Sequence, residues 1–348
     1  MVYNTYIKNQ KGQNMAIHFL LSSKAKDLSI IEVARMSEDE AIEVFKSLRW
    51  SDTNGEPVCP KCGCTEHWYL PSTKRYKCKG CKKQYSVTSG TIFADHKLPL
   101  RDYLVVILLF ANDVKGASML KLSRDLKVNY KTAFLLTHKI RASLLDTRDE
   151  SQMDGICEMD ALHTNMYVKP ANKEEKRIDQ RKMYKPNKRA VIVTRQRDIS
   201  GLGAKRTITD ISIGETATAM AFTAFKNIKE GSIVHTDEAT AFEPLHVRYD
   251  RKIVNHSKEY CSIDGNNNNQ CESFNARFRR MQIGIHHHVS SLYLSNYANE
   301  IAFREDSRRM TNGEIMKDIL TRCLMTPEHG EWRGYHQGNK RVAERLIA

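Results

Sequence analysis

The chain has 348 residues and a formal net charge of +14. That length allows two or three domains with sizeable cores, and the charge favours a polyanionic partner, nucleic acid first and membrane surface second. The sequence argues against secretion and membrane insertion. The apolar patch Met15–Leu21 is short and lacks a small-residue cleavage site, and the longest apolar run, Tyr103–Ala111, is too short to span a bilayer. The expectation is a cytoplasmic, nucleoid-associated protein.

In chain order, residues 1–30 read as a polar lead-in. "SEDEAIEVFKSLRW" (Ser37–Trp50) predicts a helix capped by Ser37, with Ala41, Ile42, Val44, Phe45 and Leu48 on its apolar face. A cysteine-rich segment follows over 55–93. Cys59 and Cys62 form one C-x-x-C pair and Cys78 and Cys81 another, with fifteen residues between them. In an intracellular chain this spacing predicts a zinc ribbon rather than disulfides, and four protein thiolates leave no open position, so the Zn²⁺ is structural. Cys64 and His67 lie close by and are not assigned as ligands. Cys157, Cys261, Cys271 and Cys323 stand alone and read as ordinary core or surface residues.

Residues 97–150 predict a helical DNA-binding block. Pro99 opens a first, buried helix, and Lys115-Gly116 breaks the pattern. Ser118 caps the short helix "SMLKLSRDL", "KVN" is a turn, and Asn129 caps a third helix, "YKTAFLLTHKIRASLLD". Short helix, three-residue turn and longer helix have the rhythm of a helix-turn-helix. Leu120, Leu126, Val128, Ala133, Phe134, Leu136 and Ile140 would form its core. Tyr130, Lys131, Thr132, Lys139 and Arg141 would stay partly free, with Arg124 and Lys127 near the turn, to meet phosphates and base edges. A plain helical bundle with a solvated basic face is the alternative.

After residue 152 the pattern changes. "GICEMDALHT", "KRAVIVTRQR", "KRTITDISI", "GSIVHTD" and "RKIVNHSK" predict strands, and "ETATAMAFTAFKNI" predicts a helix. From Glu272 the chain reads as mostly helical, including "SSLYLSNYANEIAFRE". This is a mixed α/β domain. A charged insertion, "KPANKEEKRIDQRKMYKPNK", separates the first two strands as a surface loop or short helix.

Three acids stand out. Asp160 lies within the first strand, Asp237 ends an apolar strand 77 residues later, and Glu272 opens a helix 35 residues beyond that. Two strand-borne aspartates and a helix-borne glutamate could converge on two divalent ions about 3.5–4 Å apart, which stabilise the attacking and leaving oxygens of a phosphoryl displacement. Hard oxygen ligands suit Mg²⁺ or Mn²⁺. Glu158 and Glu238 are competing neighbours.

These residues resemble the DDE transposases of bacterial and archaeal insertion sequences, in the group with an N-terminal zinc ribbon. The resemblance runs over about 37–306, from "FKSLRW" through the ribbon and the helix-turn-helix to the acids. It implies a lead-in and helix over 1–54, the ribbon over 55–93, the helix-turn-helix over 97–150, and a ribonuclease-H-like catalytic domain over 152–306. That domain is a mixed five-stranded sheet with helices on both faces; a helical tail over 307–348 follows. By resemblance Asp160, Asp237 and Glu272 are the metal-binding triad, supported by Asn269 and by Arg279, two helical turns beyond Glu272. The activity implied is cleavage at the element's terminal inverted repeats and joining of the 3′-hydroxyl to target DNA, by a homo-oligomer that pairs two ends. Two departures stand out: Asn267-Asn268 where the family often has His-Thr, and Ala161 where many relatives carry Glu. "GIHHHVS" (Gly284–Ser290) reads as a DNA-facing or structural turn. The competing readings are a DNA-binding regulator or domesticated transposase with an inert core, and a nuclease that hydrolyses without joining.

Overall fold

The structure, a computed structural model, describes residues 19–166, 188–201, 203–254 and 267–347. Nearly all of the charged insertion, the first part of the lead-in and Cys261 lie outside the described residues. Helices α1 (Ile30–Arg35) and α2 (Glu38–Arg49) both begin with capping boxes, Ser29 with Glu32 and Ser37 with Glu40, which satisfy N–H groups that a helix start leaves unpaired. Trp50, at the end of α2, packs edge-on against Tyr76 and Tyr85. Those tyrosines belong to a small antiparallel sheet of β1 (His67–Leu70), β2 (Arg75–Cys78) and β3 (Gln84–Tyr85). Thus α2 docks on the ribbon through aromatic edges.

The ribbon is too small to hold itself by burial alone. Its cysteines supply the staple. The sulfurs of Cys59, Cys62, Cys78 and Cys81 all lie within 4.8 Å of one another, with Cys59 Sγ 3.6 Å from Cys81 Sγ and Cys62 Sγ 3.5 Å from Cys78 Sγ. Gly63, just after the first pair, and Lys82, just after the second, both have positive φ, the turn geometry that folds each pair around one centre. Four thiolates so gathered suit a tetrahedral Zn²⁺. Cys64 Sγ is turned to the carbonyl of Glu66 and His67 Nδ1 lies 2.9 Å from the carbonyl of Thr65, so neither joins the quartet.

Helix α3 (Leu100–Asn112) follows Pro99, and the Glu38 carboxylate accepts the N–H of Leu100 at 2.7 Å. The helix is apolar on most of its circumference because α1, α2 and α9 pack around it. Helix α4 (Met119–Asp125) and α5 (Tyr130–Asp146) are joined by a turn in which Lys127 takes a positive φ and Asn129 accepts the N–H of Lys131. Leu120 is 50% exposed, contrary to expectation; on this short helix Leu122 is the residue that faces Ala117 and Ala133.

The second body is a five-stranded sheet: β4 (Ile156–Asn165), β5 (Lys188–Arg197), β6 (Ala204–Ser212), β7 (Ile233–Thr236) and β8 (Asp250–Ile253), with α6 (Ala217–Asn227) between β6 and β7. The order is β6-β5-β4-β7-β8. β5 runs antiparallel to β4 and β6, while β4, β7 and β8 are parallel. Helix α6 covers one face over Cys157, Met159, Ile192, Ile208 and Val234. Helices α7 (Asn269–Met281) and α8 (Leu294–Asp306) cover the other over Leu162, Val191, Val193 and Ile211. The expected C-terminal tail contributes α9 (Asn312–Met325), which buries Met316, Ile319, Leu320 and Cys323 among residues of α2 and α3. It thereby completes the core of the first body.

The two bodies meet where α5 crosses α8. Arg141 Nε donates to Glu300 Oε2 at 2.6 Å, with both side chains fully buried. Arg304 adds a second contact to Glu300 at 2.8 Å, and the Arg141 guanidinium lies 4.5 Å from the ring centre of Tyr297. Two predictions follow from this packing. Chelating the zinc, or Cys78→Ser, is expected to unfold the ribbon and free Trp50 from its tyrosine contacts; a metal-content assay and tryptophan fluorescence would report it, and a spectrum indifferent to chelator would contradict it. Glu300→Gln leaves Arg141 buried without its counter-charge and should cost about 3–5 kcal/mol in urea unfolding, with Arg141→Met/Glu300→Leu recovering much of the loss.

Candidate active site

The site grows from the strand register. β4 and β7 pair in parallel as Ile156↔Ile233, Cys157↔Val234 and Glu158↔His235. Two residues further along that ladder, Asp160 comes level with Asp237, immediately past the end of β7. The 77-residue spacing is therefore the register offset of the two strands. Asp237 sits at the carboxyl end of its strand, a favoured location for sites in α/β sheets. Its Oδ1 accepts the N–H of Ala239, and Arg251 holds the strand end by donating to Thr236 Oγ1 and to the Asp237 carbonyl.

Helix α7 brings the third acid. Its start is bound to β4 by Glu158, which is fully buried and accepts the N–H groups of Gln270 at 2.8 Å and Cys271 at 3.1 Å. Arg197 neutralises that carboxylate at 2.7 Å. These partners make Glu158 a helix anchor, and Asp160 lies one pleat further toward the strand's carboxyl end. One turn after Glu272, Asn275 Nδ2 donates to Asp160 Oδ2 at 2.7 Å, while Asp160 Oδ1 accepts the N–H of Ala161. Burial first, and then the charges of Asp237, Glu215 and Glu272, push the Asp160 carboxyl up to about 7 against the Ala161 hydrogen bond. Four carboxylates thus share one field.

The residues present fit a hard divalent cation. The surrounding groups are carboxylates and amides, and the buried Asn275 and Asn268 amide oxygens have no hydrogen-bond donor among the described residues. Orphaned acceptors beside an acid cluster suit a hydrated Mg²⁺ or Mn²⁺, which keeps waters as donors to its surroundings. Among the described residues, the only three or more potential ligand atoms within 4.8 Å of one another are those of the ribbon cysteines; the acids share a field without forming so tight a cluster.

The other expected site residues divide. Asn269 is exposed on the first turn of α7, and Arg279 is exposed two turns beyond Glu272. Cys271 is buried in the core, where burial pushes its thiol well up. Arg124, Lys127, Tyr130 and Lys131 are exposed, and Thr132 is half-buried. Lys139 is largely covered, and burial lowers its pKa. Arg141 corrects the sequence reading: it lies inside the α5–α8 junction against Glu300 and presents nothing to solvent. The histidine run is structural at His286, whose ring packs on Tyr297 and is held down to about 3 by burial and by Arg141; His287 and His288 are exposed.

Sequence reasoning missed Asn275 and Glu215. Asn275 follows Glu272 by three residues, one helical turn, which was a readable signal. Glu215 offered none. It precedes α6, on the far side of the sheet, and its Oε2 lies 2.9 Å from His163 Nε2.

Residues 152–306 match the family model of the ISXO2-like transposase domain, and residues 36–84 match the transposase zinc-ribbon domain. The second match spans all four gathered cysteines, in accord with structural zinc. A protein of Halobacterium salinarum, described as an uncharacterized protein in transposable element ISH50, is 24% identical over 298 residues, covering 83% of this chain and 98% of the relative. No helix among the described residues is long and apolar enough to cross a membrane. Ribbon ahead of transposase domain, the chain thus carries a transposase zinc-ribbon domain and an ISXO2-like transposase domain, and it is similar along most of its length to a transposable-element protein.

Proposed function

We propose that the chain binds the ends of its element as double-stranded DNA, cuts them in a metal-dependent reaction and joins the freed 3′-hydroxyl to target DNA, with Asp160, Asp237 and Glu272 as the catalytic acids. The observation that supports this reading is that the register of β4 and β7 brings Asp160 level with Asp237, and that the charges of Asp237 and Glu272 both raise the pKa of Asp160. The sheet order, with one antiparallel strand beside the acid-bearing one and helices on both faces, supports a ribonuclease-H-like domain.

When bound, a pair of divalent ions would supply stabilisation of the attacking and leaving oxygens of an in-line displacement. The chain's own residues do the positioning. Asn275 and the Ala161 N–H hold both oxygens of Asp160. Glu158 and Arg197 fix the height of α7, and hence of Glu272, on β4. Arg279 lies on the same stripe of α7, exposed where a DNA phosphate could reach it. The exposed side chains around α4 and α5, Arg124, Lys127, Tyr130 and Lys131, with Thr132 beside them, support a helix-turn-helix contact with duplex DNA. Pairing two ends calls for more than one copy.

On a labelled duplex carrying the element's terminal sequence, with Mg²⁺, Asp237→Asn and Glu272→Gln should each lower cleavage and strand transfer together by at least about 10²–10³-fold, with DNA affinity retained. Cleavage without joining in the wild type would instead favour a nuclease. Binding with neither reaction, unchanged in Asp237→Asn, would favour a regulator. Asn275→Ala is expected to raise the Mg²⁺ concentration for half-maximal cleavage by roughly 10–100-fold, the usual effect of removing a group that orients a metal ligand. An unchanged Mg²⁺ titration would remove Asn275 from this role.

A further inference from the structure

The three tryptophans of the chain have different fates. Trp50 and Trp332 are buried at 6% and 2% exposure, whereas Trp68 is 44% exposed on the ribbon. It lies on the outer face of β1. The neighbouring residues His67 and Tyr69 turn to the other face, against Tyr76.

Lysines surround the exposed indole. Lys77 is its direct partner across β2. Lys82 Nζ lies 4.9 Å and Lys79 Nζ 5.9 Å from the ring centre. Both come from the second zinc knuckle. Lys82 adopts a positive φ and donates to the Lys79 carbonyl at 2.7 Å, so the turn that gathers the thiolates also delivers the ammonium groups. The nearby acid Glu66 is exposed and reaches Lys79 at only 3.7 Å. Over residues 55–93 the chain carries seven lysines and arginines against two acids, and a Zn²⁺ held by four thiolates would subtract only two charges.

We infer that this face of the ribbon is a second nucleic-acid site, which stacks one unpaired DNA base on Trp68 and takes its flanking phosphates on Lys79 and Lys82. The inference rests on DNA being the partner proposed above, but at a surface separate from α4, α5 and the acids. Magnitudes favour the exchange. An exposed lysine over an indole is worth about two- to fivefold in an equilibrium constant, whereas a stacked base is worth about five- to 150-fold. The displaced ammonium groups are then free for phosphates. A duplex offers no free base face within its stack, so the indole adds little there.

The test is equilibrium binding of the full-length, zinc-loaded protein to a fluorescently labelled, mixed-sequence single-stranded 20-mer and to the same sequence as a duplex. Trp68→Ala should weaken single-strand binding about five- to 150-fold and duplex binding by less than about twofold. Trp68→Phe should stay near wild type, and Trp68→Leu, apolar but without a π-face, should fall with Trp68→Ala. Lys79→Ala/Lys82→Ala should reduce the slope of log K against log salt on the single strand by about 1.4. Zinc content measured on each variant separates these effects from loss of the ribbon. Equal losses on both DNA forms, Trp68→Leu binding as well as Trp68→Phe, or a wild type that ignores the single strand would overturn the inference. Cleavage and joining are not read, so an inert catalytic centre would leave the result standing.

Discussion

A single buried carboxylate sets the geometry on which the acid cluster depends. Glu158 is fully covered and would be costly to leave charged in that position; burial does raise its pKa. Arg197 and the first N–H groups of α7 oppose that cost. The interaction is reciprocal, because the helix start needs an anion as much as the anion needs donors. Losing either partner strands the other, which is where the large penalties for buried charges arise, about 3–5 kcal/mol. With α7 held at this height, Glu272 and Asn275 follow from helical geometry, and Asp160 follows from the pleat of β4.

A second buried charge pair does comparable work between the two bodies. Arg141 and Glu300 tie α5 to α8, and Glu305 binds α8 both to the sheet, through Arg195 of β5, and to α7, through Arg277. The end of the chain adds a strap. Glu344 pairs with Arg189, Arg345 with Asp146, and the Ile347 N–H donates to the Ile211 carbonyl at the edge of β6. The helices that carry the exposed basic residues are thus fixed relative to the acids by charge pairs and backbone bonds as well as by apolar packing.

Much of this was legible in the sequence because it is local. Cysteine spacing, the Ser37 and Asn129 caps, strand alternation and the helical stretch after Glu272 are short-range patterns, and the structure has each of them, whereas Ser118 stands at the start of α4 without a capping side-chain hydrogen bond. Arg141 was misread because a basic residue on an amphipathic helix looks solvated unless its partner is known, and Glu300 lies 159 residues away. Leu120 was misplaced because α4 has only seven residues, too few for periodicity to fix which leucine faces inward. Glu215 belongs to the field at Asp160 only through the tertiary fold. The aspartate spacing, by contrast, carried more than it first showed: a separation of 77 residues becomes a statement of register once β4 and β7 are known to be parallel neighbours.

The asparagine run before Glu272 acquires a physical role from the same network. By the resemblance, Asn267 and Asn268 stand where His-Thr is expected. The Asn267 carbonyl and side-chain oxygen both accept from Arg197, at 2.5 and 2.8 Å, and the carbonyl lies 3.0 Å from His235 Nδ1. Asn268 is fully buried and donates to the carbonyl of Met159, the residue before Asp160. One asparagine therefore joins the guanidinium that neutralises Glu158, and the next braces the strand beside the first acid. A short amide can do both because it offers donor and acceptor atoms close to the backbone. The departure from His-Thr thus supplies contacts that help seat α7 on β4.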